Sequence, residues 1–230
     1  MRPETPIIGS LALPRWETCL RSAVLLIARL GMAYLFFTQL VWKVPPRFGC
    51  PADFAFTTAK EDTASRVDLK RTSGLCDWLG IEQVYSTEPR PLLVTAFEGP
   101  AAPQISVDIR PIARLNGLFL KHAVMPGIRL WGWVIFLTEA FIVTSMLLGL
   151  LSRLGGLLAI AMSTQLLVGL AGIPNPPEWE WSYILMVLLS LILFAFAPGR
   201  VLGLDAWLRP RLARAAAKGN PLAAAMAGLA

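Results

Sequence analysis

The sequence is poor in residues that hold metal ions and haem. Its 230 residues include one histidine, His122, so a haem held by two histidines of this chain is excluded. Three cysteines, Cys19, Cys50 and Cys76, fall on two sides of the membrane in the topology derived below, so they cannot together hold an iron–sulfur cluster. No group of histidine, cysteine and carboxylate side chains has the spacing of a zinc site. We therefore expect no metal, no haem and no iron–sulfur cluster.

Nucleotide-binding and hydrolase motifs are also absent. The chain has no Walker loop, no G-x-G-x-x-G after a strand and no G-x-S-x-G nucleophile elbow. If the protein moves electrons, the carrier must be a diffusible organic molecule, a disulfide or a partner subunit.

Charged residues make up only 16% of the chain, whereas hydrophobic residues make up 55%. Four stretches lack turn signals and are long enough to cross a hydrocarbon layer about 30 Å thick. They are residues 22–42, 130–151, 154–173 and 181–197. A spanning segment must satisfy its backbone hydrogen bonds internally, so each is predicted to be a helix. The predicted fold class is an all-α membrane protein, a bundle of four transmembrane helices.

Basic residues cluster beside the ends of the predicted spans that share one side. They occur within residues 1–21, at Arg153 between the second and third spans, and in the tail, residues 198–230. This distribution predicts both termini in the cytoplasm of a bacterial or archaeal cell, with the chain crossing the cytoplasmic membrane several times. The net charge of +6 is then explained by topology and by contact with membrane lipid, and no nucleic-acid partner is expected.

Residues 43–129 form a long segment on the opposite side, predicted to be an α+β cap inserted between the first two spans. Within it, residues 91–97 and 104–110 favour two strands of a hairpin. Residues 63–81 favour a helix, and residues 111–124 favour a helix that lies along the membrane surface.

Cys50 and Cys76 lie in this predicted cap, in a compartment where a disulfide can persist. Their pairing would staple a small unit that has little core of its own. The alternatives are a redox-active pair, which the absence of a C-x-x-C motif weakens, and two cysteines that do not pair. Cys19, at the cytoplasmic start of the first span, is predicted to be an inert thiol.

Four polar side chains fall inside the predicted spans: Arg29, Gln39, Glu139 and Gln165. Counting about 1.5 Å per residue from the cytoplasmic ends places Arg29 at a depth of ~10 Å and Glu139 at ~18 Å. An arginine side chain can reach across that offset, and unpaired charges at such depth cost several kcal/mol. We therefore predict that Glu139 pairs with Arg29 inside the bundle.

Two interpretations of this predicted pair stay open. It could be an ion pair that fixes the packing of the first two spans. It could also line a quinone site, where Arg29 would stabilise the anion formed on reduction and Glu139 would deliver protons. In that second case Gln39, Trp42, Gln165 and Trp181 are the candidate binding residues, although tryptophans at this level more often form an interfacial aromatic belt.

Residues 21–43 and 116–208 resemble the DoxD/DoxX group, which includes the membrane subunit of thiosulfate:quinone oxidoreductase. The resemblance rests on an arginine in the first span (Arg29), on the run from Glu139 through "LLGLLSRLG" to Gly155, and on "GRVLGLDAWL" after the fourth span. It implies quinone reduction coupled to oxidation of a sulfur compound, together with a second, small extracytoplasmic subunit.

Three functions are therefore considered. The first is a quinone-linked oxidoreductase in which Arg29 and Glu139 are catalytic and thiosulfate or another small reduced sulfur compound gives electrons. The second is a non-catalytic accessory or assembly subunit of a larger membrane redox or energy-converting complex, which the lack of metal and haem ligands favours. The third, a transporter or channel, is disfavoured because the chain shows no inverted repeat and no broken helix.

Overall fold

A computed structural model of the chain describes residues 14–56, 74–95, 105–173 and 177–230. Four long apolar helices form its body: α1 (Arg15–Leu40), α4 (Ile128–Leu148), α5 (Ser152–Gly169) and α6 (Pro177–Phe196). By length and composition α1, α4 and α5 can cross a membrane, whereas the apolar part of α6 that is described, Glu180–Phe196, is shorter. A helix is thus present at each of the four predicted positions, and three of the four are long and apolar enough to span a membrane.

The four helices are buried on their facing sides and apolar on their outer sides. Met32 and Phe36 of α1 pack with Ile142 of α4 and Leu193 of α6 in the central core. Large apolar side chains such as Leu137 are exposed on the outside. A surface of this kind is stable only when lipid, not water, surrounds it, so the chain is a membrane protein.

Small residues let the helices approach closely. A Cβ atom added at Gly156 of α5 would lie 2.8 Å from the backbone nitrogen of Phe194 in α6. Helix association in lipid depends on such close packing. At the end of α4, Gly149 adopts a left-handed conformation with φ 64°, which closes the helix and starts the tight turn into α5.

The segment between α1 and α4, residues 41–127, is here called the connector. It contains α2 (Leu75–Tyr85), β1 (Leu92–Thr95), β2 (Ile105–Val107), α3 (Arg110–Phe119) and a π-helical turn, Leu120–Val124. The two strands pair in antiparallel fashion, with Leu92 opposite Val107, so the predicted strand pairing is confirmed. The predicted helix over residues 63–81 is confirmed from residue 75 onward, and its first part lies outside the described residues.

The described residues of the connector share their apolar clusters with the bundle helices and form no separate core. Phe48, Leu75 and Leu79 pack with Ile128 of α4 and with the π-helical turn in one apolar cluster. A disulfide joins Cys50 to Cys76 inside this cluster, which confirms their predicted pairing. The connector is therefore fixed against the end of the bundle where α1 ends and α4 begins, here called the connector end.

Three short helices cover the opposite end, here called the tail end: α7 (Gly199–Leu202), α8 (Asp205–Ala217) and α9 (Pro221–Leu229). The predicted basic tail is thus mostly helical. It is fixed by Asp205, whose carboxylate accepts hydrogen bonds from the backbone N–H groups of Leu151 and Ser152 at 2.6 and 2.8 Å. These bonds satisfy donors at the start of α5 that would otherwise have no partner.

Candidate functional site

A cavity of about 170 Å³ lies at the connector end, between α2, α3, the π-helical turn, α4 and α5. Its wall is mainly apolar and aromatic, and it includes Trp78, Phe119 and Trp131. Six polar side chains also line it: Lys43, Glu82, Asn116, Thr138, Glu139 and Gln165. A few polar groups converging in a mostly apolar space are typical of small-molecule sites.

Lys43 and Glu139 form a buried ion pair on one wall of the cavity. Lys43 Nζ donates a hydrogen bond of 2.5 Å to Glu139 Oε1. The ring of Trp42 lies 4.5 Å from the same ammonium group and adds a cation–π contact. Lys43 follows α1 and Glu139 lies mid-way along α4, so the ion pair joins these two parts of the bundle beside the cavity.

Glu82 and Gln165 form a second buried polar contact on another wall of the cavity. Gln165 Nε2 of α5 donates a 2.6 Å hydrogen bond to Glu82 Oε2 of α2. Burial raises the pKa of the Glu82 carboxyl to about 7, although hydrogen bonds from Gln165 and Trp78 and the charge of Lys43 lower it. This carboxyl therefore changes its protonation state near neutral pH.

Two buried polar atoms of the cavity have no hydrogen-bond partner among the described residues. They are Asn116 Nδ2, a donor, and Glu139 Oε2, an acceptor. Such groups are rare in folded proteins because leaving one unsatisfied costs roughly 1–3 kcal/mol. A ligand that both accepts and donates hydrogen bonds would satisfy them.

The π-helical turn shapes the adjoining wall. It follows α3 directly, and its Leu120 and Val124 are both buried and both line the cavity. Phe119, the last residue of α3, lines the same space and stacks edge-on against Trp131, with ring centroids 5.5 Å apart. Turns of this type interrupt helices frequently at functional sites.

The predicted pairing of Arg29 with Glu139 is wrong. Arg29 is buried at the tail end, where its charged neighbour is Asp205. A Cβ atom on Gly203 would lie 2.6 Å from Arg29 Nη1, and one on Gly149 would overlap the same atom. Gly149 is ten residues, or about 15 Å of helix, from Glu139. The prediction assumed that the start of α1 and the end of α4 lie at the same level. In the structure the first turns of α1, from Arg15 onward, extend beyond the end of α4, so Arg29 lies level with Gly149.

The other predicted site residues divide between the cavity and the surface. Glu139 and Gln165 line the cavity. Gln39 and Trp181 are exposed on the outside of the bundle, Trp181 by 67%. Trp42 is half-buried and contacts the cavity only through Lys43. Lys43, Glu82 and Asn116 were not predicted as site residues, although Glu82 could have been noticed as a lone charge in the apolar run "WLGIEQVY".

Comparison with known families adds to this geometry. A family model described as TQO small subunit DoxD matches residues 110–226, just over half of the chain. The chain belongs to the DoxD family. The match runs from the start of α3 into α9 and contains Asn116, Glu139 and Gln165, whereas Lys43, Glu82 and Arg29 precede it. No curated protein and no solved structure matches the chain.

The family description names a small subunit of a thiosulfate:quinone oxidoreductase, abbreviated TQO. It links this DoxD chain to a membrane-bound redox assembly and accords with the presence of a partner subunit. The part of the cavity inside the match supplies the two unsatisfied atoms, and the part before it supplies Lys43 and Glu82.

Proposed function

We propose that this chain is an integral-membrane DoxD-type subunit that binds a quinone headgroup in the connector-end cavity, as part of quinone-linked oxidation of thiosulfate or another small reduced sulfur compound. The observation that carries the proposal is a pair of buried atoms, Asn116 Nδ2 and Glu139 Oε2, that find no hydrogen-bond partner in the described part of the chain and lie in a cavity with aromatic walls.

The residues of the cavity fit a quinone by chemistry and by size. A quinone carbonyl accepts a hydrogen bond, which the Asn116 amide can donate, and a quinol hydroxyl donates one, which Glu139 Oε2 can accept. Trp78 and Trp131 add aromatic surface to the cavity wall, against which a ring can pack. An apolar cavity of about 150 Å³ holds a benzene molecule, so about 170 Å³ leaves room for a single ring.

A quinone bound here would supply the acceptor for the two electrons released by the sulfur compound. Lys43 would hold a fixed positive charge beside the ring and so lower the energy of negative charge that develops there. Its own hydrogen bond to Glu139 holds the ammonium group in place. Since the cavity wall is mainly apolar and Lys43 is buried, this charge acts more strongly than it would at a surface.

We also propose the membrane arrangement that goes with this function. In it α6 is the fourth span, both termini are cytoplasmic, and the connector lies outside the cytoplasmic membrane of a bacterial or archaeal cell. The connector end then faces the compartment in which a soluble sulfur compound and a second subunit would be met.

Binding of decylubiquinone to the purified protein in detergent tests this function, with quenching of tryptophan fluorescence as the readout. We expect saturable quenching in the wild type and at least tenfold weaker binding in Asn116→Leu and Glu139→Gln, because each loses one polar contact to the ring. Gln39→Leu is the matched control, since Gln39 is exposed outside the cavity, and should bind as the wild type does. Equal binding by all four proteins would disprove the cavity site.

The accessory-subunit alternative is favoured by one observation, the family description as a small subunit. Purification in mild detergent separates the two functions. An isolated chain that binds quinone supports the proposal, whereas a chain that binds it only within a larger complex supports the accessory role.

A further inference from the structure

Glu82 is the most enclosed carboxyl group of the cavity. It lies on α2, its side chain is 1% exposed, and its Oε2 is held by the Gln165 amide. The carboxylate also packs against α5, where a Cβ atom on Gly169 would lie 2.7 Å from Oε2. Trp78, one turn earlier on α2, donates a second side-chain hydrogen bond. The carboxyl is thus fixed in position by two donors on two helices.

Among the charged groups described around Glu82, the carboxyl groups outnumber the basic groups. Lys43, which follows α1, is close enough for its charge to act on Glu82. Glu139 of α4 is already paired with that lysine. Tyr183 of α6 is a further titratable neighbour. With both carboxyls ionised, the buried set would carry one negative charge more than it can neutralise, so it favours retaining a proton.

We propose that Glu82 is the proton-exchanging group of this cavity, binding and releasing one proton as the charge on the cavity ligand changes. This inference rests on the proposed function and extends it to a residue outside the matched family region. The pKa of about 7 that burial gives this carboxyl suits proton exchange at neutral pH.

The proton balance is defined. Reduction of a quinone to a quinol takes two electrons, here from the sulfur compound, and two protons. Glu82 releases one proton toward the ligand oxygen, and the second proton is taken up from the solution on the connector side, so that the complete reduction consumes two protons from solution. Glu82 then regains its proton from the connector side. Glu139 is less suited to this exchange because its Oε1 is already engaged by the hydrogen bond from Lys43.

The experiment begins with infrared spectroscopy of the purified, quinone-free chain across pH 5–9. We expect one carboxylic-acid C=O band that disappears near pH 7 in the wild type and in Glu88→Gln, an exposed-residue control, and that is missing from Glu82→Gln. If Glu82→Gln does not fold, Gln165→Leu replaces it. That change removes a donor to the ionised carboxylate, so the band should then disappear at higher pH. No titrating band, or a band retained in Glu82→Gln, overturns the proposal.

The second stage reduces bound decylubiquinone electrochemically and records the infrared difference spectrum. A carboxylic-acid signal that appears in the wild type and is lost in Glu82→Gln supports proton exchange with the ligand. A wild type that binds quinone but gives no such signal overturns the exchange and leaves the proposed function standing. A wild type that binds no quinone overturns the proposed function and, with it, the coupling.

Discussion

Lys43 Nζ and Glu139 Oε1 lie 2.5 Å apart, and both side chains are almost completely buried. The pair links the residue that follows α1 by three positions to the middle of α4. Its position explains why Glu139 is tolerated within an apolar helix. The second oxygen of this cavity-lining carboxylate, Oε2, accepts no hydrogen bond from any described residue.

Replacing Lys43 by methionine should destabilise the protein strongly. Glu139 would then stay buried without its partner, and breaking a buried ion pair on one side costs about 3–5 kcal/mol. Thermal unfolding in detergent measures the effect, with Lys121→Met as the control because Lys121 is exposed. The double variant Lys43→Met/Glu139→Leu should recover much of the loss.

A double-mutant cycle, which compares two single variants with the double variant, distinguishes the observed ion pair from the one predicted from the sequence. Lys43 and Glu139 should show strong coupling between their substitutions, and Arg29 and Glu139 should show almost none, since about 15 Å of helix separates their levels. Strong coupling between Arg29 and Glu139 would contradict the observed arrangement.

Asp205→Ala should weaken the tail end of the bundle by roughly 2–4 kcal/mol. The substitution removes both acceptors for the first N–H groups of α5 and the charged neighbour of Arg29. Asp108→Ala is a matched control, because Asp108 also accepts a backbone N–H bond but is half exposed and forms its ion pair with the exposed Arg110. If the two variants unfold at the same temperature, Asp205 does not stabilise the start of α5 as proposed.

Removing the disulfide with Cys50→Ala/Cys76→Ala should lower stability by about 3.5 kcal/mol, from the chain entropy of a loop with this separation of 26 residues. Both cysteines are buried, so a structural staple predicts that the folded double variant still binds decylubiquinone. Wild-type binding together with complete loss of sulfur-dependent quinone reduction would instead support the redox-active pair.

The sequence predicts the helices well and the site only in part. Apolar runs and turn residues reveal the four long helices, the strand pairing at Leu92 and the family, because these depend on local composition and period. Pairing between helices depends on their relative level, which no local pattern records. Arg29 was therefore paired with the wrong carboxylate, and Lys43 and Glu82 were missed because tertiary packing alone brings them to the cavity.

Stability should fall as pH rises through the neutral range. The ordinary pKa of a glutamate side chain is 4.5, whereas the pKa of Glu82 in the folded protein is about 7. The folded state therefore binds this proton more tightly than the unfolded state does. The stabilisation that comes from this tighter proton binding is complete below pH 4.5 and is lost as the pH rises to about 7. The loss lowers the free energy of unfolding by about 3 kcal/mol. Melting temperatures measured from pH 5 to pH 8 should therefore decline in the wild type and much less in Glu82→Gln. A parallel decline in both would assign the effect to another group.

Asn116→Leu should separate stability from binding. The Asn116 amide has a buried donor with no partner among the residues that the structure describes, so an apolar side chain of similar size removes a desolvation cost and should raise the free energy of unfolding by about 1 kcal/mol. The same change removes a donor for the quinone carbonyl and should weaken decylubiquinone binding at least tenfold. Asn220→Ala provides the contrast, because Asn220 caps α9 through its bond to the Ala223 N–H. The free energy of unfolding of that variant should fall by about 1 kcal/mol, and its quinone binding should equal that of the wild type. If Asn116→Leu is instead less stable than the wild type and binds as well, the amide serves packing and the cavity has another purpose.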